Sequence, residues 1–327
     1  MRPFEYASPK TKEQVPALLA ARWGQTEVLA GGTDLLSLMK DEVTAPSRLV
    51  NIKGIRDLQG VSKSAAGLRL GALATLAELS NNAEVKRQCP DLALALGDAA
   101  SPQIRNMATL GGNLCQRPRC WYFRTGHGLL AKDKDGKSLV LAGDNRYHAI
   151  LGNEGPAYFV SPSTIAPVLI AYGAKVRVLG PQGSRELPLE KFFVIPQSEE
   201  DREHDLKPNE IVTDILIPPA SHTHAGHYEV RQKEAFDWPY ATAAVALVMS
   251  GKNVQGARVV LGHVAPIPWL SEEAAQALAG KAITPENADR AGLAAVEKAK
   301  SLGRNTQKIQ MARVAVKRAI LKAGGVA

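Results

Sequence analysis

Two glycine pairs about eighty residues apart bound what this chain can fold into. The first lies in Leu29-Ala-Gly-Gly-Thr-Asp-Leu-Leu36, where a short apolar strand gives way to an apolar run of helical character. Gly31 and Gly32 carry no Cβ and admit positive φ, so successive N–H groups can converge on an anion. Thr33 and Asp34 can cap the segment that follows. Taken alone, the stretch also fits a simple strand-to-helix turn. The second pair, in Thr109-Leu-Gly-Gly-Asn113, repeats the pattern, again with a threonine and an amide close by. Two cradles suit a diphosphate, and a dinucleotide such as FAD surrounded by backbone donors from both loops needs neither lysine nor Mg²⁺. Neither loop is a Rossmann fingerprint or a Walker loop, so the folds those motifs mark are set aside.

The rest of the chain arranges itself around these loops. Lys12 to Arg22 has helical spacing of Val15, Leu18, Leu19 and Ala21, Glu27 to Ala30 and Leu49 to Ile52 read as strands, and this first unit ends near Gly54 to Gly60. A second unit opens with the alternating strand Gly67 to Ala72, then Thr75 with Glu78 at capping-box spacing and helical stretches through Ala100. Ala157 to Val160, the helical Thr164 to Tyr172, and strands at Lys175 to Leu179 and Glu210 to Ile217 complete it. Pro218-Pro219 and the small polar residues through Gly226 read as a solvated linker, where His222, His224 and His227 offer a weaker alternative as metal ligands. Strands near Tyr228 to Lys233, Thr242 to Ser250 and Gln255 to Leu261 follow, then helices from Ser271, Pro285 and Thr306, an α+β pattern. Gly126-His-Gly128 precedes a charged turn rather than a helix and is treated as chance.

A net charge of +8 raises the question of nucleic acid. The basic excess sits near the C-terminus, at Lys298, Lys300, Arg304, Lys308, Arg313, Lys317, Arg318 and Lys322, interleaved with apolar residues at helical spacing. That is the solvated face of an amphipathic helix, with no aromatic stacking surface beside it, and nucleic-acid binding is not expected. Three cysteines, Cys89, Cys115 and Cys120, are too few for a disulfide framework and read as reduced thiols. No signal peptide and no membrane-length apolar run are recognised, so export, where it occurs, would rely on a signal-bearing partner.

The chain resembles the FAD-binding, or medium, subunits of the molybdenum hydroxylases over nearly its whole length. The carriers are Ala30-Gly-Gly-Thr-Asp-Leu35, Gly71-Ala-Leu-Ala-Thr75 and the long Ser101-Pro-Gln-Ile-Arg-Asn-Met-Ala-Thr-Leu-Gly-Gly-Asn113. Arg119-Cys-Trp-Tyr-Phe-Arg124 is most similar to the bacterial aldehyde oxidoreductase branch. The resemblance implies an α+β / α/β fold: a two-part FAD-binding domain of the PCMH type, residues 1–57 and 58–219, and a C-terminal α+β domain, residues 226–327, with a three-stranded antiparallel sheet and helices. It implies that Leu29, Ala30, Gly31, Gly32, Thr33, Asp34 and Leu35 wrap the FAD diphosphate. Thr109, Gly111, Gly112 and Asn113 would close the other side, Ser101 and Arg105 belong to the same motif, and Lys233 would be a cation near the flavin.

Two departures from the family pattern stand out. Many members follow the second glycine loop with small residues ending in an Asp that contacts flavin, where this chain has Cys115-Gln-Arg-Pro-Arg-Cys120. Some relatives carry a four-iron cluster on four cysteines in the segment after it, whereas 121–156 contains no cysteine, so that cluster is expected to be absent. A mixed iron site on Cys115, Cys120, His127 and His148 is a remote alternative to incidental thiols. The resemblance implies an electron-transfer subunit with no catalytic residue or metal of its own. A large partner would hold molybdopterin in its cytosine dinucleotide form, a small partner two 2Fe-2S clusters, and FAD would pass electrons to an external acceptor. The compartment would be the cytoplasm, or the periplasm by co-export. A self-sufficient flavin oxidase and a flavin-free scaffold are the alternatives.

Overall fold

The computed structural model describes residues 1–219, 223–233 and 236–326. Strands β1 (Glu5–Ala7), β2 (Thr26–Leu29) and β3 (Arg48–Asn51) form a parallel sheet in the order β1-β3-β2. The helix expected over Lys12 to Arg22 is shorter, a 3-10 turn at Lys12–Gln14 and one α turn at Val15–Leu18. Leu19 takes an extended backbone, and the Ala20 N–H donates to Thr26 Oγ1 at 2.8 Å instead of continuing the helix. A local side-chain acceptor thus competes with the helical ladder and wins.

Strands β4 (Val61–Ser64), β5 (Gly67–Gly71), β6 (Lys175–Gly180), β7 (Gly183–Pro188) and β8 (Ile211–Ile217) form an antiparallel sheet in the order β4-β5-β8-β6-β7. The helices Leu76–Asn81, Pro90–Asp98 and Ile165–Ala171 share its core. The capping box forms as expected: Glu78 N–H donates to Thr75 Oγ1 at 3.1 Å and Thr75 N–H to Glu78 Oε2 at 2.8 Å. Ala157 to Val160 joins no sheet; within it Tyr158 O accepts from Ala149 N–H at 2.8 Å, and just after it Ser161 N–H donates to the distant Ala265 O at 2.9 Å.

Strands β9 (Thr223–Val230), β10 (Ala241–Ser250), β11 (Asn253–Gly262) and the two-residue β12 (Trp269–Leu270) make an antiparallel sheet in the order β12-β11-β10-β9. Helices Glu272–Leu278, Pro285–Ala295 and Gln307–Ala323 pack on it. The expected linker is here corrected, because β9 already pairs with β10 from Thr223 through Gly226. Its small residues answer to packing: a Cβ on Gly226 would lie 2.2 Å from the Ala319 carbonyl oxygen of the last helix. His222 lies outside the described residues, while His224 is exposed and His227 is buried.

The near-continuous apolar run of β10 follows from burial on both faces. Ala241, Ala243, Val245 and Leu247 face the C-terminal helices, whereas Ala244 and Ala246 belong to the core of the second sheet. Alanine there lets the Ile165–Ala171 helix approach, so the last sheet is a middle layer and not a free-standing module.

The basic last helix also departs from a uniformly solvated face. Arg313 and Lys317 pair with Asp289 at 2.6 and 3.3 Å. Lys308 is buried, and its ammonium donates to the carbonyl oxygens of Tyr147 and His148 at 2.7 and 3.0 Å. Burial pulls its pKa from 10.5 down to about 7. The folded state therefore holds fewer protons than the unfolded chain between these values, and stability rises with pH across that window. Lys308→Met is expected to lose that rise. It should also be destabilised by about 1–3 kcal/mol at pH 9, where two buried carbonyls lose their donor; urea melts between pH 6.5 and 10 check both effects.

Candidate functional site

The first glycine loop leaves β2 at Leu29 and enters the helix Leu35–Lys40. A Cβ on Gly31 would sit 2.0 Å from the Met107 carbonyl oxygen, and Gly32 has φ +75°, so both positions require glycine for different reasons. The helical ladder begins with Leu36 N–H donating to Gly32 O at 3.1 Å. The amides of Gly31, Gly32, Thr33, Asp34 and Leu35 meet no acceptor among the described residues. A run of unpaired N–H donors at a strand-to-helix turn has the makings of an anion cradle.

The second loop is built differently from the expectation that both loops supply donors. Leu110 N–H donates to Ala74 O, Gly111 N–H to Ala72 O, Asn113 N–H to Thr109 O and Gly112 N–H to Thr109 Oγ1, at 2.9, 2.8, 2.8 and 3.2 Å. Two of its amides tie the loop to the turn after β5 and two close on Thr109 within the loop. What it presents is a smooth surface: a Cβ on Gly111 would lie 2.9 Å from that of Ala72.

Both loops line one cavity of about 780 Å³ between the first two sheets, within the range of cofactor sites. Ala30 through Leu35 border it, as do Thr109, Gly111 and Gly112. Leu29 is buried behind it with Met39 and Leu49. Ser101 is absent from the wall and caps the helix Pro102–Met107, accepting from Ile104 N–H at 3.2 Å. Arg105 braces the same turn by donating to the carbonyls of Ala99 and Ala100 at 2.9 and 3.0 Å. Asn113 Oδ1 accepts from Ser163 Oγ at 2.6 Å, and Lys233 is exposed, away from the cavity wall.

Asp34 occupies the N-cap position without capping; its carboxylate turns to the 115–124 segment. It accepts from Arg117 N–H and Arg124 Nη2, each at 2.8 Å, and from Arg119 Nη1. Burial alone would raise its pKa, but the Arg119 and Arg124 guanidiniums outweigh that and hold the carboxyl below the usual range. Asp34 stays ionised.

Other residues of the wall escaped the sequence analysis. Arg117 Nε pairs with Glu203 at 2.9 Å, Arg202 with Glu27 at 3.2 Å, and the Arg202 guanidinium lies 4.6 Å from the Trp23 ring centre. Burial, more than Arg117 can offset, pushes Glu27 up to about 7, and burial pulls the neighbouring His204 down to about 3, leaving it neutral. In sequence Arg202 and Glu203 sit in an acidic run that looks solvated; only the Arg-rich segment after the second loop carried a signal. Burial pushes Cys89 and Cys115 up to about 12, and Cys120 Sγ lies 3.2 Å from His148 Nε2. Among the described residues no group of three or more His, Cys, Asp and Glu is arranged to hold a metal.

Residues 2–220 match the family profile described as the FAD binding domain in molybdopterin dehydrogenase, and residues 226–323 that of the CO dehydrogenase flavoprotein C-terminal domain. The chain is 32% identical to the aldehyde oxidoreductase FAD-binding subunit PaoB of Escherichia coli, over 84% of this chain and 85% of that one. It is 29% identical to the carbon monoxide dehydrogenase medium chain of Hydrogenophaga pseudoflava, over 97% and 96%. A solved carbon monoxide dehydrogenase from the same organism superposes with a TM-score of 0.78 at 28% identity, covering 100% of this chain and 99% of that one.

Two outcomes follow from the geometry. Gly31→Ala is expected to force the loops apart, abolishing dinucleotide binding by equilibrium dialysis and lowering the melting temperature, whereas Gly54→Ala, with open space around it, should do neither. Glu27 holds its proton to higher pH when folded than when unfolded, so it costs stability as pH rises from 4.5 through about 7. Glu27→Gln should stabilise by about 1–2 kcal/mol at pH 8, allowing for the partner Arg202 loses, and by nothing at pH 4.5 in denaturant melts.

Proposed function

The chain belongs to the family of FAD-binding subunits of the molybdenum hydroxylases, and on that footing we propose that it is the electron-transfer subunit of a heterotrimeric aldehyde oxidoreductase. The observation that carries the cofactor assignment is the run of unpaired amides from Gly31 to Leu35 facing a cavity of dinucleotide size. The aldehyde assignment draws on the PaoB likeness and on Arg119-Cys-Trp-Tyr-Phe-Arg124. Its partners would be a large subunit with the molybdenum cofactor and a small subunit with two 2Fe-2S clusters.

The residues present fit FAD. The Gly31–Leu35 amides would donate to the diphosphate oxygens, replacing the water and counter-ions that a dianion otherwise requires. Thr109, Gly111 and Gly112 would close the opposite side by shape, and Ser101 and Asn113 would hold that loop in place. Leu19, Val28, Leu38, Ile52 and Leu73 supply apolar walls that exclude water. We assign Lys233 no contact with the cofactor. Bound FAD supplies one- and two-electron transfer between the partner's clusters and the external acceptor. This chain then contributes position, electrostatics and access, and no acid, base or nucleophile.

A four-iron cluster needs four thiolates, and the chain has three cysteines, of which Cys89 is buried in the core of the second sheet. Among the described residues no helix is long and apolar enough to cross a membrane. Placement in the cytoplasm, or in the periplasm through a signal-bearing partner, is part of the same proposal.

The test is a visible spectrum of the complex co-purified through a tag on this chain, with acid release of flavin and iron. About one FAD and about four irons per complex are expected. About eight irons would point to a further cluster and overturn the three-cysteine argument; no flavin would leave the glycine loops as turns. Aldehyde turnover by this chain without its partners would favour a flavin oxidase instead.

A further inference from the structure

Asp34 joins two roles that nothing else in the wall combines. Its amide belongs to the unpaired run of the cradle, and its carboxylate holds Arg117, Arg119 and Arg124. Arg119 in turn donates to Gln116 Oε1 at 3.1 Å, and its guanidinium lies 5.1 Å from the ring centre of Trp238, between β9 and β10. Trp238 is half exposed and also stands 6.3 Å from the His263 ring. An uninterrupted line of contacts therefore runs from the diphosphate loop of the first sheet, through one carboxylate and one guanidinium, to a surface tryptophan of the last sheet.

We propose that Asp34 is a positioning residue whose side chain does not touch the cofactor but couples filling of the cradle to the placement of Trp238, through Arg119. This rests on the assignment of Gly31–Leu35 as a dinucleotide site. The physical basis is that a diphosphate bound to these amides fixes the peptide planes on either side of Asp34. It also brings a second negative charge up to Arg119 and Arg124, which Asp34 alone balances among the described residues. Arg119 is half-buried with its Nε buried and unpaired among the described residues, and is the member of the trio with a partner still to gain. Any shift of its guanidinium changes what covers the Trp238 ring. The consequence is that the face around Trp238 differs between the empty and the loaded chain, so that loading with cofactor is legible at the C-terminal domain.

The experiment titrates the cofactor-stripped full chain with ADP, which has the diphosphate and no flavin to quench tryptophan. Equilibrium dialysis measures binding, and the Trp238 signal is taken as the difference in emission between the chain and W238F, since Trp23 lines the cavity and responds by itself. Saturation is expected to change Trp238 emission in the wild-type sequence. In D34N and R119Q that change should vanish, while in R119Q dialysis still finds ADP bound with an affinity lowered no more than about tenfold. Loss of binding in R119Q would place Arg119 in the cofactor site and overturn the proposal. So would a Trp238 response that survives in both variants, or one missing from the wild type although ADP binds. Should D34N fail a circular-dichroism test of folding, R119Q alone decides, because Arg119 lies outside the cradle. Wild-type chain that binds neither ADP nor FAD would defeat the cofactor assignment itself, and this coupling with it.

Discussion

The close approach of Gly31 to the Met107 carbonyl is the contact on which the rest of the molecule depends. It brings a turn of a parallel sheet against the turn that follows the Pro102–Met107 helix, two segments otherwise unrelated in topology. Only backbone without a Cβ can pass there. With the loops seated, the residues that follow Gly31 line a cavity that the Thr109–Gly112 turn also borders. The division of labour is unequal: one loop keeps its donors available, and the other uses its own to hold its shape.

The electrostatics of the cavity follow from that inequality. Its wall carries Glu27, Asp34, Glu199, Glu200, Asp201 and Glu210 against Arg22, Arg117 and Arg202, so it offers an anion no net positive charge. Apart from the exposed Arg22 of the wall, the arginines nearby are committed elsewhere, Arg117 to Glu203, Arg202 to Glu27, Arg119 and Arg124 to Asp34. A dianion held there is held by oriented dipoles, which impose a position as well as an attraction and need no mobile side chain.

The C-terminal sheet serves a different purpose from a simple appended domain. Burial of β10 on both faces merges its core with that of the second sheet, and buried Lys308 ties the last helix to the carbonyls of Tyr147 and His148. Cys120, beside His148, belongs to the same neighbourhood, and Trp238 reaches Arg119 from the other direction. The segment from Cys115 to Arg124 is thus gripped by all three sheets' surroundings, which gives a physical reason for its density of arginine and aromatic residues.

What the amino-acid sequence determined by itself was whatever depends on neighbours along the chain. Gly-Gly next to a strand, the Thr75–Glu78 box, helical spacing after Pro285 and Thr306, and the extent of β8 are local matters of backbone freedom, capping and periodicity, and they stand close to where the pattern puts them. Motif likeness reached further and located both loops of the cavity. The tertiary structure alone decided which amides stay unpaired, that Asp34 faces arginines eighty-odd residues away instead of capping its helix, and that Lys308 is buried. It also decided that Glu27 and Arg202 form part of the wall, that Glu203 pairs with Arg117 of that wall, and that β9 begins inside an apparent linker. Each of these is an outcome of desolvation and of contacts between distant segments. A charged residue reads the same in sequence whether it will meet water, a partner or a carbonyl; only the folded chain removes the water and thereby chooses.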